Sequence, residues 1–120
     1  MVFTNIGKSG LALSFAGSMT LPTMCDVGVG SQEVTANKSG LDDGQVTSVF
    51  TTRDISTQRE VTYTIDFSSI TMSGLLFSEF GLRTSGGGLG SGDFFNVDNT
   101  TPTQYDGTNE LQIQLTYEVF

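Results

Sequence analysis

Two segments of the chain alternate apolar and polar residues without a break. In REVTYTIDFSS, Val61, Tyr63, Ile65 and Phe67 face one way, and Thr62, Thr64 and Asp66 face the other. In NELQIQLTYEVF, Leu111, Ile113, Leu115, Tyr117 and Val119 alternate with Gln112, Gln114, Thr116 and Glu118. A period of two held this long predicts antiparallel strands with one dry and one wet face. Between them, Ile70, Met72, Leu76, Phe80 and Leu82 share one phase, while Leu75 and Phe77 share the other. The second set is expected either under a neighbouring layer or on a contact surface.

Other signals are shorter. MCDVGVG, residues 24–30, alternates weakly, and its glycines predict a bend or a close backbone approach. Residues 31–44 read as a polar loop, and 45–53 as β-prone without a clear phase. Residues 75–84 and 93–97 read as two strands on either side of a glycine tract. NTTPTQYDGTN reads as a long polar turn, with Pro102 and Asp106-Gly107 as turn formers. Only residues 4–15 carry a helical spacing. Phe3, Ile6, Gly10 and Leu13 share a face, Leu11 and Phe15 lie beside it, and Thr4 is placed to cap the start. The expected fold is all-β: one antiparallel β-sandwich or jelly-roll-like domain spanning 1–120, with a short N-terminal helix.

Composition narrows the functional classes. Thirteen acids face five bases, a formal net charge of −8. Lys8, Lys38, Arg53, Arg59 and Arg83 are scattered, so no phosphate-binding patch forms and nucleic acid is not an expected partner. No apolar run reaches membrane-spanning length. LALSFAG is too short and too polar for a signal-peptide core, so no leader is read there. Cys25 is the sole cysteine, which leaves no disulfide framework and no thiol metal site. The sequons at Asn37 and Asn99 arise readily by chance in a chain rich in Asn, Ser and Thr.

Candidate chemistry is sparse. The chain has no histidine, which removes the commonest general base and the usual triads. Carboxylate pairs suffice for glycoside hydrolysis, and the candidates are Asp42 with Asp43 or Asp26 with Asp66. All four are expected as loop or outer-face acids. Gly7-Lys8-Ser9 resembles the end of a P-loop, but Val2 stands where its first glycine belongs. The tract Gly86–Gly92 holds five glycines in seven positions, yet Ser91 replaces the third glycine of a dinucleotide fingerprint. It is expected as a mobile or partner-pressed hairpin tip. No enzyme, cofactor or metal site is expected.

Two stretches resemble a known group. TNIGKSGLALSFAG, followed by CDVGVGSQE, is similar to the opening of small structural proteins of tailed bacteriophages. FSEFGLRTSGGGLGSGDFF, closing with NELQIQLTYEVF, is similar to their ending, through Glu79, Gly81, Leu82, Gly86, Gly87, Leu111, Ile113 and Phe120. Asp93 departs from the pattern, where arginine is usual. The resemblance implies a non-enzymatic virion component, made in the host cytoplasm. A head decoration (cement) protein that bridges and stiffens the shell is the first expectation. A neck, tail or fibre module, or a host-surface carbohydrate-binding domain, are the alternatives. Its partners would be the major capsid protein or other virion proteins, and further copies of itself in a small symmetric oligomer such as a trimer. Phe3, Ile6, Leu11, Phe15, Phe77, Phe94, Phe95 and Phe120 are the expected contact residues.

Overall fold

A computed structural model of the chain describes residues 2–7, 22–31, 33–49, 52–57, 60–84 and 87–118. In chain order the elements are β1 (Val2–Phe3), β2 (Met24–Gly28), β3 (Gly44–Val49), β4 (Thr52–Thr57), β5 (Glu60–Phe67), α1 (Ser69–Met72), β6 (Leu76–Arg83), β7 (Asn96–Gln104) and β8 (Leu111–Glu118). The protein is all-β. Its strands form two sheets, one of five strands in the order β1-β7-β6-β2-β3 and one of three in the order β4-β5-β8. Every described pairing is antiparallel.

The two alternating segments are β5 and β8. They pair in unbroken register from Glu60↔Glu118 to Phe67↔Leu111. Their inward residues Tyr63, Ile65, Phe67, Ile113 and Tyr117 join Cys25, Val27, Phe77 and Leu82 of the other sheet, with Met72, in one core cluster. Tyr63 and Tyr117 meet edge to face, with ring centroids 5.5 Å apart.

The two competing phases before Leu82 have two causes. The pairing of β6 with β7 shifts register between Phe77 and Glu79. The partners move by two positions there, from Phe77↔Thr103 to Glu79↔Asn99, so Ser78 alone on β6 stands against three residues of β7 in a bulge. Across this bulge the inward phase changes: Leu76 is exposed and Phe77 reaches the core on one side, and Leu82 reaches it on the other. Ile70 and Met72 are not in this strand at all. They lie on α1, a single turn capped by Ser68, whose Oγ accepts the Thr71 N–H at 3.2 Å. Met72 points into the core and Ile70 out of it.

Other expectations change as well. The segment read as a long polar turn is mostly strand: β7 runs to Gln104 through Pro102. The β-prone stretch 45–53 spans the end of one sheet and the start of the other, in β3 and β4. The N-terminal helix is described over 5–7, where Thr4 Oγ1 accepts the Gly7 N–H at 2.8 Å as the expected cap. The remainder of that helix lies outside the described residues.

Candidate contact surface and its buried polar layer

Alternation in β2 puts Cys25 and Val27 in the core and Asp26 on the opposite face. Across β6 the same logic turns Glu79, Gly81 and Arg83 to that outer face, beside Leu82. A wet face is the usual outcome for such positions, yet Asp26, Glu79 and Arg83 are all buried. Chain from two loop regions is bonded to them.

Residues 87–92 form the first cover. Arg83 Nε donates to Asp26 Oδ1 at 2.8 Å, with both side chains sealed from solvent. The second Asp26 oxygen accepts the Gly90 N–H at 2.8 Å. Arg83 Nη1 donates to Ser91 O at 3.1 Å, and Nη2 to Thr47 Oγ1 at 2.8 Å. The ion pair thus holds one N–H and one C=O of the glycine tract. The tract closes the antiparallel pairing of 82–84 with 93–95, and its described part is held as a strap against the buried charge pair. Positive φ at Gly90 and Gly92, 79° and 75°, lets the strap turn this tightly.

The second cover is the loop before β3. Glu79 accepts the Asp43 N–H at 2.8 Å on one oxygen and the Asp42 N–H at 3.1 Å on the other. Charge-assisted bonds to two successive amides fix the loop's entry into β3. The N-terminal segment is tied down separately, to residues 94–95 and 36. Thr4 N–H donates to Phe95 O at 3.0 Å, its hydroxyl bonds Phe94 O, and Asn5 N–H donates to Ala36 O at 2.8 Å. Inside, Asn96 Oδ1 accepts from Tyr117 Oη at 2.8 Å, a polar tie between the two sheets.

A cleft of about 240 Å³ remains between these covers, lined by Asp26, Gly40, Leu41, Gly44, Leu89, Gly90 and Phe94. It falls below the roughly 300–1,000 Å³ of ordinary small-molecule sites. Its one carboxylate is already held by Arg83 and Gly90. The carboxylate pairs considered for hydrolysis are not brought together for it. Asp26 is buried under the strap, while Asp66 stands exposed on the other sheet and accepts from Gln112 Nε2 at 2.9 Å. Asp42 pairs with Lys38, and Asp43 accepts from Gln45. Among the described residues no three His, Cys, Asp or Glu side chains cluster as metal ligands. Burial, and then the charge of Asp26, push the Cys25 thiol well above its ordinary range, so it is held as an unreactive thiol.

The expected contact residues divide. Phe77, Phe94 and Phe95 are buried by the chain itself and serve the interior, not a partner surface. Phe3 lies on β1 opposite Asn96. Leu11, Phe15 and Phe120 lie outside the described residues. Ile6 is 39% exposed. Sequence reading missed three larger exposures: Ile70 at 86%, Leu76 at 46% and Leu89 at 42%. Their signal was present only as apolar residues beside turns. Of the three tyrosines, Tyr63 and Tyr117 are buried, and Tyr105 is half-buried and packs edge-on against Phe77. No helix among the described residues is long and apolar enough to cross a membrane.

No protein-family model, no curated protein and no solved structure matches the chain.

Proposed function

We propose that this chain is a non-enzymatic structural protein of a tailed-bacteriophage virion. In this reading it is a β-sandwich that decorates the head, binds the major capsid protein lattice and stabilises it, and it works as a homo-oligomer. One observation carries the reading. The residues that bear the resemblance to phage structural proteins are occupied in architecture. Glu79 clamps the loop before β3. Gly81 leaves room where a Cβ would stand 2.6 Å from Asn96 O and 2.9 Å from the Phe94 ring. Leu82 fills the core. A motif held for catalysis would instead aim polar atoms into a cleft.

Loops tied down by hydrogen bonds to buried charges suit this role. A lattice-binding protein attaches through many symmetric copies, and avidity multiplies modest contacts that are already ordered. The same domain placed in a neck, tail or fibre would use the same surface on fewer sites. Quantitative mass spectrometry of purified particles from the phage that encodes the chain tests the assignment. A copy number that scales with the capsid lattice, and heads that lose heat resistance when the gene is deleted, are expected. A copy number matching a neck or tail ring moves the protein there. Absence from the particle overturns the virion reading altogether.

A further inference from the structure

We propose that β8 is a self-association edge: two copies pair their β8 strands antiparallel about a two-fold axis, joining two three-stranded sheets into one continuous sheet. The inference does not depend on where on a particle the protein sits. It begins with the sheet order. β8 flanks β5 on one side and has no described strand on the other. An edge of eight residues that is open among the described residues is a template for another strand.

The other edges are blunted. Tyr105 donates its N–H to Leu75 O and accepts from the Gly74 N–H, so odd positions at that end of β7 turn their backbone toward β6. Pro102 has the opposite parity, and the amide hydrogen it lacks belongs to the open side. β4 carries Arg53 and Asp54 and slips register between Ile55 and Thr57. β3 slips against β2 at its Gly44 end. β1 has two residues. By contrast β8 has no proline, no lysine or arginine and no bulge, and its pairing with β5 is regular throughout. These are the devices that proteins use to keep an edge from pairing.

The occupant follows from the chemistry of the strand. Leu111, Ile113, Leu115 and Tyr117 face the core, and Gln112, Gln114 and Thr116 face solvent. A two-fold pairing centred on Ile113, Gln114 or Leu115 sets apolar against apolar and polar against polar. Leu111 and Leu115, half-buried in one chain, then become interior. Charge selects the same place. Two chains of net charge −8 repel, and Leu111–Tyr117 is an uncharged stretch through which they can meet.

Sedimentation velocity on the full chain tests this, with substitutions confined to the exposed face. The wild type is expected to reach twice the 12.8 kDa chain mass as concentration rises. The double variants Gln112→Lys/Gln114→Lys and Gln112→Glu/Gln114→Glu should each weaken self-association at least about tenfold, because like charges then oppose across the axis. Mixing the two should restore the dimer as a heterodimer. Circular dichroism checks that each variant keeps its fold. A wild type that stays monomeric up to about 1 mM, where even weak association registers, overturns the proposal. So does a trimer, or a dimer indifferent to both variants.

Discussion

Asp26 and Arg83 lie 57 positions apart in the chain and meet at 2.8 Å, sealed from solvent. The pair links β2 to β6 and, through Gly90 and Ser91, holds the glycine strap. Removing one partner leaves a charge buried without compensation. Arg83→Met should therefore cost about 3–5 kcal/mol in urea unfolding, and Asp26→Val a similar amount. The double variant should recover much of the loss, because a well-packed apolar pair often replaces a buried ion pair at little cost. A double variant whose loss equals the sum of the two single losses would remove the pair as a coupled unit.

The strap makes its own prediction. Gly92 has a positive φ, and a Cβ there would stand 2.5 Å from Thr84 O. Gly88 has open space around it. Gly92→Ala should lower stability by more than about 1 kcal/mol, whereas Gly88→Ala should be neutral or slightly stabilising through the unfolded chain. Thermal melts of the two variants make the comparison.

Glu79 is a clamp rather than an acid for chemistry. Glu79→Ala strands the Asp42 and Asp43 amides, and hydrogen bonds to charged groups are worth about 1.5–3 kcal/mol each. Hydrogen exchange should accelerate at those two amides far more than at the β5–β8 ladder. A uniform change across both sheets would mean that Glu79 supports the whole fold equally.

Stability should fall on the alkaline side. Burial raises the Cys25 thiol and the Tyr117 phenol, with Asp26 and Tyr63 as the next causes, respectively. The unfolded chain releases these protons near pH about 8.5 and about 10. The folded chain keeps both, so their contribution is complete below about pH 8.5 and declines as pH rises beyond it. Urea midpoints from pH 7 to 11 measure the decline. Cys25 should also resist iodoacetamide in the native state and react once the chain is unfolded.

The strands β5 and β8 were legible because each buries one face and wets the other, so alternation survives in the residues. β6 was half legible. It is covered on both faces and slips register after Phe77, and no single phase describes it. β7 was hidden because from Asn99 to Gln104 every side chain is exposed, so its sequence looks like a turn. The buried polar layer was invisible for another reason. Asp26, Glu79 and Arg83 look like ordinary surface charges until partners far along the chain close over them. The glycine tract shows the limit clearly. Its flexibility was plain in the residues, and the groups that hold it down were not.

The position of β2 between β6 and β3 sets an order of events during synthesis. A chain emerging N-terminus first presents β2 and β3 long before β6 exists. Until Arg83 arrives, Asp26 sits on a two-stranded ribbon with no guanidinium to meet it, and such a ribbon is marginal in water. The five-stranded sheet can close only late, around a strand that has been waiting, which is the signature of a slow, non-local folding reaction.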